Sequence, residues 1–84
     1  MDFEPSYNYL LAILAPVSST DEARRLIEDA IRSILLPIQS TYRIEDFIKI
    51  CNELVKRDGK TKVISRACLA QANCYKALQN LSLR

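Results

Sequence analysis

Five cations, Lys60, Lys62, Arg66, Lys76 and Arg84, stand in the last 26 residues of an 84-residue chain, and no acid stands with them. The 58 residues before them hold seven Lys and Arg against all ten Asp and Glu, so the two parts carry net charges of −3 and +5. A one-signed segment on a chain of nearly neutral total charge concentrates field at one end, which suits a polyanion such as double-stranded DNA. The bland alternative for the same charges is a short helical segment with a solvated basic face. Among the cations lie side chains that can read bases: Gln71, Asn73 and Gln79 can pair bidentately with adenine, and Lys76 can reach guanine or a phosphate. Tyr75 can donate its hydroxyl to a phosphate, while Lys60, Lys62 and Arg66 neutralise backbone charge in such a scheme. Taken singly, each is an ordinary solvated helix residue; their collection in a segment without acids is what points to nucleic acid.

The chain offers little to a catalyst. It has no histidine and one glycine, so the commonest metal ligand and general base are missing, as is a phosphate-cradling loop. The carboxylates of Glu28-Asp29 and Glu45-Asp46 are neighbours in sequence and diverge on a helix surface. Cys51, Cys68 and Cys74, at spacings of 17 and 6, match neither a disulfide framework nor a CxxC metal knuckle. They read as reduced, intracellular thiols that pack as small hydrophobes. No catalysis, metal or cofactor is expected.

The elements that must position the basic segment are helical. Hydrophobic residues make up 49% of the chain with one Gly and three Pro, which excludes disorder and a loop-rich scaffold, and 84 residues hold one core. Tyr7 to Ala15 is apolar nearly all round and stops at Pro16, so it is either a core helix or a contact with a second subunit. Thr20 is placed to cap a second helix with Asp21 and Glu22 in its first turn. Ala23, Leu26, Ile27, Ala30, Ile31, Ile34 and Leu35 form its inward stripe, and Pro37 stops it. A third helix, about Arg43 to Arg57, turns Ile44, Phe47, Ile48, Cys51, Leu54 and Val55 inward and ends at Asp58-Gly59. Beyond it Thr61 caps a short helix with Val63, Ile64 and Ala67 inward, Leu69-Ala70 break the period, and a last helix over 71–81 turns Cys74, Leu78 and Leu81 inward.

A long helix, a glycine turn, a short helix, a tight turn and a final helix make the layout of a tri-helical helix-turn-helix core, whose last helix enters the major groove. The run Thr61-Lys62-Val63-Ile64-Ser65-Arg66-Ala67-Cys68-Leu69, followed by Leu78 and Leu81, resembles the corresponding core of small archaeal winged helix-turn-helix regulators. The likeness covers 61–81 only. It implies a DNA-binding transcription regulator, without the β-wing that the family usually adds after the recognition helix. Residues 1–40 have no counterpart in it and read as an oligomerisation module, residues 43–84 as the helix-turn-helix-like core, and the whole as an all-α homodimer.

The rival reading is a non-catalytic helical adaptor in which the amphipathic faces form a homo-oligomeric bundle or a groove for another protein. No stretch approaches a membrane span: the longest apolar run, Leu10 to Val17, is eight residues and follows acidic Asp2 and Glu4, where a signal peptide needs positive charge. A cytoplasmic location is expected.

Overall fold

The computed structural model describes residues 3–57 and 61–82. Among them the chain forms four helices, α1 (Tyr7–Leu14), α2 (Thr20–Ser33), α3 (Ile44–Lys56) and α4 (Lys62–Ser82), and the described residues include no strand longer than an isolated antiparallel bridge between Ser6 and Thr41. The protein is a small all-α bundle. The expected turn at Asp58-Gly59 lies outside the described residues, as do Lys60 and Arg84.

Local chemistry accounts for the helix boundaries. The Ser6 hydroxyl accepts a hydrogen bond from the Tyr9 amide and caps α1, which ends just ahead of Pro16. Ser19, not Thr20, caps α2: its Oγ accepts from the Glu22 amide at 3.2 Å, and Thr20 is already the first helical residue. The same helix ends at Ser33, short of the expected Ile34-Leu35. Leu35 takes the left-handed conformation (φ 61°), the Leu36 amide donates to the Ile31 carbonyl, and the Leu35 amide donates to the Arg32 carbonyl. This is the Schellman stop usually built with glycine. α3 occupies nearly the expected span, starting at Arg43, which caps it without a side-chain hydrogen bond.

One core runs through all four helices. Leu10 and Leu14 of α1, Ile27 and Ile31 of α2, Phe47, Ile50 and Leu54 of α3, and Cys68 and Ala72 of α4 are buried together. Phe3 joins the core edge-on to Tyr9 and Phe47, with ring centroids 5.1 and 5.4 Å apart, and lies 5.0 Å from the Tyr75 ring. Phe3, ahead of α1, therefore reaches across to α4. Residues 3–40 thus share their core with the described residues after Tyr42, and α1 is a core helix of the single chain.

The basic segment departs from its expected layout. Residues 62–82 form one helix of 21 residues, about 31 Å long, with no turn at Leu69-Ala70. Nothing in that pair breaks a helix. Alanine and leucine have high helix propensity, and the segment contains neither proline nor glycine. The change of apolar period there marks a change of covered face, not of direction. The two-helix core with a turn is therefore not formed. α4 packs mainly along α3 and reaches α1 at its middle.

Candidate functional site on the fourth helix

Burial along α4 departs from the expected pattern. Ser65, Cys68 and Ala72 face the bundle, continuing the line of buried Thr61 just before the helix. These are small side chains, and they let α4 approach α3 closely enough for the sulfurs of Cys51 and Cys68 to lie 3.6 Å apart. Of the large apolar residues predicted to point inward, Ile64 is half-buried against the core and the others are not. Val63 is 73% exposed, Leu78 63% and Leu81 61%, and Ala67 and Cys74 are exposed as well.

The exposed apolar residues form a line. Val63, Ala67, Ala70, Cys74, Ala77 and Leu81 follow at spacings of four and three in strict alternation, the repeat that keeps one helix face against a neighbouring helix. The line is about 27 Å long at 1.5 Å per residue and bears no charge. Ile64, Gln71 and Leu78, seven residues apart, run along one flank of it; Arg66, Asn73 and Asn80, also seven apart, run along the other.

A groove of about 360 Å³ lies beside the first of these flanks, between α1 and α4. Ala12, Ile13 and Pro16 border it on one side and Ile64, Ala67 and Gln71 on the other, and the described residues that line it include no charged one. The groove therefore extends the apolar surface of α4 onto α1. Its floor is closed by the Tyr9 hydroxyl, which donates to Gln71 Oε1 at 2.5 Å.

The residues proposed to read DNA divide between two sides of the helix. At 100° per residue, Lys62, Arg66, Asn73 and Lys76 fall within one 80° sector, and Gln71, Tyr75 and Gln79 fall outside it. The second set has structural employment. Gln71 holds Tyr9, Tyr75 packs on Phe3, and Gln79 Nε2 donates to the Tyr75 hydroxyl at 3.0 Å. Lys62 and Lys76 are half-buried while Arg66 and Asn73 are exposed.

The remaining polar chemistry is dispersed. Tyr7 donates to Glu28 at 2.9 Å; burial, then the hydrogen bond and charge of that carboxylate, push its phenol up to about 12. The Tyr9 phenol is also raised, chiefly by burial. The bond to Cys68 and burial push the Cys51 thiol up, so Cys51 holds its proton and makes a poor nucleophile. Among the described residues no three His, Cys, Asp or Glu side chains group as metal ligands, and no helix is long and apolar enough to cross a membrane.

The line on α4 could have been found in the sequence. Two interleaved series of seven, 63-70-77 and 67-74-81, contain only Val, Ala, Cys and Leu. They become visible once 62–82 is treated as one helix. No protein family, curated protein or solved structure matches the chain.

Proposed function

We propose that the protein is a non-catalytic helical interaction module whose fourth helix presents its outer face to another polypeptide. The observation that carries this reading is the exposure of Val63 and Leu81 on a charge-free line with coiled-coil spacing, with exposed Leu78 on its flank. An isolated exposed leucine is ordinary on a protein surface, but two large apolar side chains joined by small ones along about 27 Å, with a third beside them, are the pattern of a helix docking face.

Cys74 supplies a built-in probe, because it sits in the middle of this line and is exposed. In dilute purified protein its thiol alkylates as an accessible cysteine does. In the cell of origin the same thiol is shielded at least tenfold, and Leu78→Glu with Leu81→Glu removes the shielding. Equal reactivity in the two settings refutes the reading.

Binding of duplex DNA is the second reading, and one observation favours it: Lys62, Arg66, Asn73 and Lys76 lie along one sector of a helix that carries no acid. It calls for a docking mode other than helix-turn-helix. In an anisotropy titration with random duplex, its affinity falls steeply as salt rises, by about 0.9 log units per log unit of salt for each phosphate neutralised. Lys62→Glu with Lys76→Glu abolishes it. Affinity indifferent to salt, or no binding at low salt, rejects this second reading.

A further inference from the structure

We infer that the occupant of the outer face of α4 is a second copy of this chain, paired antiparallel about Ala72 so that Leu78 of each copy enters the α1–α4 groove of the other. The inference rests on the reading of that face as a protein contact and names its partner.

The line is self-complementary in reverse. Turned end for end about residue 72, Val63 meets Leu81, Ala67 meets Ala77 and Ala70 meets Cys74. Each pairing occurs twice, as a two-fold axis requires of an isologous interface. The large residues stand at the ends and the small ones at the centre, so the helices can approach closely along their middle and interlock at either end.

The flanks give the second argument. In an antiparallel pair the two-fold axis lays like flank against like flank. Leu78 of one copy then arrives at the height of residue 66 of the other, on the side of Ile64 and Gln71, where the groove opens. A side chain that is 63% exposed thereby meets an apolar recess of about 360 Å³ bordered by Ala12, Ile13 and Pro16. On the opposite flank Arg66 arrives between Asn73 and Asn80 of the second copy, whose amide oxygens can accept from its guanidinium. A parallel pair does neither: it sets Leu78 beside the second copy's Asn73 flank and leaves both grooves empty.

Area sets the strength. A face about 27 Å long and 10 Å wide amounts to about 540 Å² over two copies before the grooves are counted, well below the ~1,200 Å² of stable complexes. The pair is therefore a weak, concentration-dependent dimer, not an obligate one.

Sedimentation equilibrium between about 10 µM and 1 mM tests the association: the mass rises from 9.6 kDa towards twice that value. Leu78→Glu weakens it at least tenfold with unchanged helical circular dichroism, since that side chain is mostly exposed in the single chain. Orientation is tested in a Cys74→Ser background. Under mild oxidation Asn73→Cys links to its own copy, because the two positions lie about 3 Å apart along the axis on the same flank, whereas Asn80→Cys, about 24 Å apart, does not. A monomer at 1 mM, or linkage through position 80 and not 73, overturns the inference. Shielding of Cys74 in the cell together with a monomer in solution removes self-pairing alone; loss of both removes the docking face as well.

Discussion

Replacing Leu35 by glycine should make this protein more stable. Leu35 closes α2 with φ 61°, a conformation that places Cβ against the following carbonyl oxygen and costs a residue other than glycine about 1–2 kcal/mol. The side chain returns almost nothing for this, being 91% exposed. Truncating it forfeits about a tenth of the ~1.5–3 kcal/mol that full burial of a leucine supplies, roughly 0.2 kcal/mol. Glycine adds freedom to the unfolded chain, which offsets about 0.5–1 kcal/mol. The balance is a gain of about 0.5 kcal/mol, or a rise in Tm of about 2–4 °C for a domain this small. Urea unfolding followed by circular dichroism at about 10 µM reads it as a higher midpoint with an unchanged slope. Leu35→Ala serves as the control: it keeps the strained φ and should stay within about 0.5 kcal/mol of the parent. A lower midpoint for the glycine variant, or equal gains from both, would refute the assignment of strain to the backbone.

Other expectations follow from the buried polar groups. Ser65 is buried with its Oγ lacking a hydrogen-bond partner among the described residues, so Ser65→Ala removes an unsatisfied hydroxyl, improves helix propensity and should raise stability by about 1 kcal/mol; a fall in the urea midpoint contradicts this. Tyr7, raised to about 12 in the folded chain against about 10 unfolded, contributes stability that is complete below pH 10 and is lost as pH climbs from 10 towards 12. Urea midpoints at pH 9 and pH 11 should therefore differ less in Tyr7→Phe than in the parent, and an equal drop would exclude a raised Tyr7 phenol as its cause. In dilute native protein one thiol, Cys74, should react with a chromogenic disulfide reagent within minutes, and Cys51 and Cys68 only above the urea midpoint; three fast thiols would mean that α4 does not lie closed on α3.

Much of the bundle is written in local pattern. Ala23, Ile27, Ala30 and Ile31 of α2 and Ile44, Phe47, Cys51 and Leu54 of α3 are buried as read, because each helix has one apolar face and one charged face; Leu35, read as inward, points out, and Ile50, not read as inward, is buried. Capping chemistry was legible to within a residue, Ser19 standing in for its neighbour Thr20. The stop at Leu35 was not legible, because nothing in a leucine announces a left-handed conformation.

The candidate site was the least legible part. α4 carries two usable stripes, the small one of Ser65, Cys68 and Ala72 and the larger one of Val63, Ala67, Cys74 and Leu81. Hydrophobicity favours the second as the inward face, and that choice also splits the helix at Leu69-Ala70 and produces a recognition helix. The residues expected to contact DNA divide between two sides of α4, Lys62, Arg66, Asn73 and Lys76 on one and Gln71, Tyr75 and Gln79 on the other, because the helix runs unbroken.

Sequence alone determined the helical class, the one-core size, the absence of histidine chemistry and the inward faces of α2 and α3, because each depends on composition or on a single period of apolar residues. Only the tertiary structure decided which side of α4 meets the bundle. Close contact with α3 demands small side chains at Ser65, Cys68 and Ala72, and the reach of Tyr9 to Gln71 and of Phe3 to Tyr75 fixes the rotation of the helix. Those are contacts between residues more than sixty positions apart, and their geometry turns the bulkier apolar line outward, where a partner can cover it.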